Sequence, residues 1–131
     1  MSIIRNSTGT GKVTTSKGPG KWFTGDAWVD VVYSDPGKIW IGNVTFNPCT
    51  RTNWHTHERG QLLRVVAGSG WICDRGEEAQ RIKEGDMVWC PPGTDHWHGS
   101  DDGSCMTHLA IGLGLSEWLE PVTDEVYAKK K

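Results

Sequence analysis

Turn-forming residues break this chain at short, regular intervals. Seventeen glycines and six prolines stand in small clusters. The runs between those clusters are rich in β-branched and aromatic residues: Trp28 to Tyr33, Ile39 to Phe46, Leu62 to Ala67, Gly70 to Cys73, Asp86 to Cys90 and Met106 to Ile111. Strands this short, separated by Gly, Pro and Asp turns, predict an all-β sandwich or closed barrel. Arg75-Gly76-Glu77 and Asp101-Asp102-Gly103 read as hairpin turns. Only the end of the chain resembles helix. Ser116 to Leu119 starts one turn that Pro121 interrupts, and Thr123 to Tyr127 forms a second short turn.

The length of 131 residues fits one domain with a sizeable apolar core. Residues 1–20 are polar and rich in Gly, Ser and Thr, and read as a loose arm or as a strand exchanged with a partner subunit; residues 21–131 form the barrel. The formal net charge is −2 and the only basic block is the final three lysines, which leaves no electrostatic footprint for nucleic acid or an anionic membrane. No apolar run has the length of a membrane span, and the N-terminal segment lacks the apolar stretch of a secretory signal, so a cytoplasmic protein is expected. The four cysteines (Cys49, Cys73, Cys90, Cys105) form no CxxC pair and are expected as free thiols, with Cys90 in a core-like pattern.

Four of the five histidines lie in two tight clusters, His55-Thr56-His57 and His96-Trp97-His98, and His108 follows. On a strand, residues i and i+2 share a face, so His55 and His57 can reach one point inside a barrel. Gln61, past the Glu58-Arg59-Gly60 turn, can bring its amide oxygen to that point, and His96 can arrive from another strand after Pro91-Pro92-Gly93. Three neutral imidazoles and one oxygen suit a divalent first-row metal. His98 would share a face with His96 and is placed at the rim or behind the ligands.

The spacing of these clusters resembles the two motifs of the cupin superfamily. The first runs Cys49, five residues, His55-Thr56-His57, three residues, Gln61, six residues, Gly68. The second runs Gly85, five residues, Pro91-Pro92-Gly93, two residues, His96, three residues, Ser100. Cys49 stands where the family has Gly, Gln61 where it has Glu and Ser100 where it has Asn. A neutral Gln leaves a bound metal one unit more positive than a Glu would, which strengthens its pull on an anionic ligand. The resemblance implies a single-domain cupin, a double-stranded β-helix or jelly-roll barrel with a short C-terminal helical turn.

Arg51 to His57, Gly60 to Leu62, Gly20 to Gly25, His96 to Gly99, Met106 to Ile111 and Val122 to Glu125 are further similar to the bacterial manganese-dependent cupin hydroxynitrile lyases. That resemblance implies His55, His57, Gln61 and His96 as metal ligands, His108 as the catalytic base or cyanide-handling residue, and Thr52 and Val44 at the substrate. It implies Mn(II), with Fe(II) second and other divalent metals after it. The implied reaction is reversible cleavage of a cyanohydrin to aldehyde and cyanide, with the metal as Lewis acid. An Fe(II) dioxygenase of a phenolic or enolisable substrate and a non-catalytic cupin that binds a metal or small ligand are the alternatives. The partner expected is a small-molecule substrate, with neither nucleic acid nor membrane.

Eight tryptophans are many for this length. Trp54 and Trp97, next to the ligands in sequence, should point to the opposite strand face, into core or a subunit contact. Trp22, Trp28, Trp40, Trp71 and Trp89 are expected in the core. The surplus of large aromatics suggests a buried subunit interface, hence a homodimer or homotetramer.

Overall fold

The computed structural model describes residues 1, 3 and 15–130. Residues 2 and 4–14, most of the expected arm, lie outside the described residues, as does residue 131. Among the described residues, twelve strands and one short helix follow in order: β1 (Ser16–Lys17), β2 (Phe23–Thr24), β3 (Ala27–Asp35), β4 (Ile39–Phe46), β5 (Arg51–Thr52), β6 (His55–His57), β7 (Gln61–Asp74), β8 (Gln80–Lys83), β9 (Met87–Cys90), β10 (His96–Ser100), β11 (Met106–Leu113), β12 (Ser116–Trp118) and α1 (Asp124–Ala128). Thr123 caps α1, its hydroxyl accepting from the Val126 N–H at 3.2 Å.

Every strand pairing among the described residues is antiparallel. One face of the curled sheet runs β1-β3-β4-β11-β7-β9. The other is built on β8-β7-β10, with β5 and β6 both on the far edge of β10 and then β2 on β5 and β12 on β6. The two runs expected at Leu62 to Ala67 and Gly70 to Cys73 are one strand of 14 residues, β7, which serves both faces. Gly68, at φ +73°, sits where it passes from one to the other; a Cβ there would lie 2.0 Å from the Cys105 carbonyl oxygen. The sheet curls around this bend.

Alternation along the strands decides what faces inward. On β11, Met106, His108, Ala110 and Gly112 are buried, and Thr107, Leu109, Ile111 and Leu113 face out. Phe46, Leu63, Val65, Ile72, Cys90 and Met106 fill the barrel interior. A second cluster (Trp54, Trp71, Cys73, Trp97, Val122, Tyr127) packs on the outside of β10 beneath the C-terminal segment. Trp54 and Trp97 therefore point away from the histidines, into a core completed by their own chain. Arg51 ties that segment down, donating to the Val122 carbonyl at 2.7 Å and to Asp124 at 2.6 Å.

Several expectations are corrected. Trp28 and Trp89 are surface residues, 39% and 53% exposed. Ser116 to Trp118 is strand rather than helix, held by pairing with β6. Asp101 to Gly103 is not a hairpin turn, because β10 and β11 do not pair; it carries the chain from one sheet face to the other. The cysteines, in contrast, are as expected: all four are free, and Cys90 is buried.

Candidate metal centre and its cavity

The motif residues draw together because β6 and β10 are neighbours, with His96 directly opposite His55. Gln61 opens β7 after a turn at Gly60, whose φ is +97°. The same left-handed backbone recurs at Gly85 (φ +93°), Gly93 (φ +69°) and Cys49 (φ +63°). The family pattern asks for Gly at these positions because only Gly holds that conformation without steric cost; Cys49 holds it with a side chain.

All five histidines are buried. His55 lies between His57, His96 and His98, with ring centroids at 5.1, 4.3 and 5.1 Å. His55, His96 and His98 offer ring nitrogens that all lie within 4.8 Å of one another. His57 stands at the edge of that trio, 5.5 Å from His96 between centroids. Gln61 Oε1 lies 3.2 Å from His96 Nε2. His98, expected at the rim, is instead sealed inside: it contacts His55 on one side, and its Nδ1 lies 2.9 Å from His108 Nε2 on the other.

Hydrogen bonding identifies the atoms available to a cation. His55 Nδ1 donates to the Asn53 carbonyl at 2.9 Å, and His96 Nδ1 to the Thr94 carbonyl at 3.1 Å. A carbonyl only accepts, so each neutral ring keeps its proton on Nδ1 and presents a lone pair at Nε2. With the Gln61 amide as placed, His96 Nε2 and Gln61 Oε1 are two acceptors face to face, an arrangement that a cation relieves. His57 Nδ1 meets Ser116 Oγ at 3.0 Å, while its Nε2 and that of His98 are buried without a partner. Inward lone pairs and orphaned ring nitrogens fit a divalent metal.

Burial lowers the pKa of every one of these histidines. His57 and His108 fall to about 4. His55 lies well below its ordinary value through burial and then the neighbouring His96. His98 does so through burial and then His108, and His96 is lowered by burial. The cluster is therefore neutral at pH 7, the form that binds metal. His108 is thus neutral at pH 7, with Nε2 held against His98 Nδ1 and Nδ1 buried without a partner.

Above the cluster opens a cavity of about 490 Å³. Val44, Thr52, His55, His57, Gln61, His98 and His108 line it, with Trp22, Trp40, Trp118, Val29 and Ala110 as apolar walls. His96 is fully buried behind this lining. Thr52 Oγ1 accepts the His98 backbone N–H at 3.2 Å, which leaves its own O–H for a ligand. Trp118 stacks on His55 at 4.4 Å and Trp22 stacks on Trp118 at 5.3 Å. Trp22 and Trp40, expected as core, are thus cavity walls. The Ser116 and Trp118 contacts were missed from sequence, where no local signal joins them to His57 and His55.

Residues 42–111 match the cupin domain family, a span that covers both histidine motifs. The chain belongs to that family. It is 44% identical over 125 residues to the (R)-mandelonitrile lyase of Granulicella tundricola, covering 91% of this chain and 95% of that protein. A cupin-like protein from Thermotoga maritima is 37% identical and superposes with a TM-score of 0.85, over 89% of this chain and 94% of its own. A polyketide cyclase from Streptomyces resistomycificus, 14% identical, has a TM-score of 0.70 over 97% of this chain and 90% of its own. At that identity it shares the cupin fold alone.

Proposed function

We propose that this cupin is a metal-dependent lyase of the hydroxynitrile type, cleaving a small cyanohydrin reversibly to aldehyde and cyanide. The observation that carries this reading is the set of buried neutral histidines at the floor of an aromatic-walled cavity. The similarity to a mandelonitrile lyase supports the substrate class. His55, His57, Gln61 and His96 are the proposed ligands, Mn(II) the proposed ion and Fe(II) the second candidate. When bound, the metal supplies Lewis acidity toward a substrate oxygen.

The chain's own residues do the rest. His108 is fully buried and neutral, with Nε2 against His98 Nδ1. It accepts the hydroxyl proton as the carbon–carbon bond breaks and returns it to the departing cyanide, so the products are aldehyde and hydrogen cyanide. His98 holds the His108 ring in place. The Thr52 hydroxyl donates to the substrate, while Val44 and the tryptophan walls seat its apolar group and exclude water.

Elemental analysis of the purified protein, paired with mandelonitrile assays with and without air, tests this. About one manganese per chain and oxygen-independent benzaldehyde release is the expected result. His96→Ala should lose metal and turnover together, and His108→Ala should keep metal and lose turnover. Iron with substrate-dependent oxygen uptake would replace the reading with a dioxygenase. Metal binding without turnover of any offered substrate would leave a binding protein.

A further inference from the structure

The inward face of the β4–β11 ladder empties toward Trp40. Alternation puts Phe46, Val44, Gly42 and Trp40 on one face of β4. Register sets them against Met106, His108, Ala110 and Gly112 of β11, in that order. Phe46 and Met106 are fully buried and fill the interior. Further along, two glycines and one alanine leave a hollow. Gly112 borders the histidines directly: a Cβ there would lie 3.4 Å from His57 Nδ1. The hollow is therefore continuous with the cavity, which Trp40, Val44, Ala110 and Gly112 all line.

Trp40 takes up part of that hollow. Its indole turns along β4 and lies on Gly42: a Cβ at Gly42 would stand 2.3 Å from Trp40 Cη2, 2.8 Å from Cζ2 and 2.9 Å from Cζ3. A side chain of any kind at position 42 would displace the ring, so the bare glycine backbone is what lets it lie there. The benzo edge makes this contact, and the ring thus reaches from position 40 toward Val44. The other aromatic walls are held differently. Trp118 stacks on His55, and Trp22 on Trp118. Among the described residues Trp40 has no such aromatic partner, and it is only half-buried.

We infer that Trp40 is the specificity-determining residue of the cavity: its benzo edge, seated on Gly42, is the end wall that limits how far the apolar group of a ligand extends along β4 past Val44. A single aromatic ring packs on Val44 and Ala110 and ends at the indole, whereas a fused two-ring group collides with it. The ligand class is therefore single-ring aryl. A neighbouring pair on one strand sets the wall, and none of the proposed metal ligands takes part in it. Removing the indole lengthens the cavity and leaves those ligands in place. The inference deepens the proposed cyanohydrin reaction and rests on that reading for turnover, but not for binding.

Kinetics and binding test it separately, with circular dichroism to verify folding. Trp40→Ala should raise kcat/KM for the cyanohydrin of 2-naphthaldehyde, relative to mandelonitrile, at least about tenfold. In calorimetry on manganese-loaded protein, 2-naphthoate should gain at least about tenfold in affinity over benzoate when Trp40→Ala is compared with wild type. The titration needs no turnover. A binding shift without cleavage of either cyanohydrin would uphold the wall and remove the lyase reading; cleavage of both with unchanged ratios would do the reverse. Gly42→Ala should lower the wild-type melting temperature by at least about 2 °C, because its Cβ drives into the ring, and should not lower it in the Trp40→Ala background. Unchanged selectivity in folded Trp40→Ala, or an equal Gly42→Ala loss in both backgrounds, would overturn the proposal.

Discussion

Acid should unfold this protein through its histidines. An unfolded histidine titrates near 6.5. In the folded chain His57 and His108 hold out to about 4, with burial as the first cause. The folded pKa lies below the unfolded one, so at intermediate pH the unfolded chain binds more protons. The stabilisation is complete above pH 6.5 and is lost as pH falls toward 4. For each of these two groups the full effect is about 3 kcal/mol, and about 1 kcal/mol of it is gone by pH 5.5. His55, His96 and His98 shift in the same direction and add to the loss. A domain of this kind has about 5–15 kcal/mol in total, so the effect is a large share of it. Urea unfolding of metal-free protein, followed by tryptophan fluorescence at half-unit steps from pH 7.5 to 5, reads it directly. The midpoint should be flat above pH 7 and fall steeply below 6.5. His108→Gln should make the fall shallower by about one proton, and saturating Mn(II) should raise the midpoint most at pH 7 and least at pH 5. A midpoint that stays constant from pH 7.5 to 5.5 would refute the argument that these rings are buried neutral.

Three substitutions probe other parts of the account. Ser116→Ala removes the 3.0 Å contact that orients His57 and should weaken metal binding about 10- to 100-fold in a chelator competition, whereas an unchanged affinity would show that His57 needs no such support. Gln61→Glu should keep the metal and change turnover, because it places a negative charge 3.2 Å from His96 Nε2; parent-like kinetics would remove the charge argument. Cys49→Gly relieves a left-handed residue at φ +63° and should raise stability by about 0.5–1 kcal/mol, seen as a melting temperature about 2–4 °C higher. A lower melting temperature there would mean that the Cys49 thiol's contacts with Asp102 outweigh the backbone strain.

The β architecture and the pairing of histidines on a strand face were legible in the order of residues alone. Both follow from local rules: Gly and Pro end the strands, and i, i+2 spacing puts His55 with His57 and His96 with His98 on common faces. Binary alternation likewise told that Trp54 and Trp97 face away from the site. Which tryptophans are walls, core or surface depends on how the strands pack. Trp28, Trp40 and Trp89 all sit in apolar β runs, and their environments differ because β3, β4 and β9 present different sides to the cavity and to water. The strand that sets Ser116 on His57 and Trp118 on His55 depends on pairings between residues about sixty positions apart, and the bend that lets β7 serve two faces on pairings about twenty to fifty positions apart. His98 enters the cluster for the same reason: periodicity names its face, and packing against His55 and His108 seals it there. The depressed histidine pKa values arise the same way, since a ring's proton affinity depends on what surrounds it in space, and those neighbours are brought in by the curled sheet.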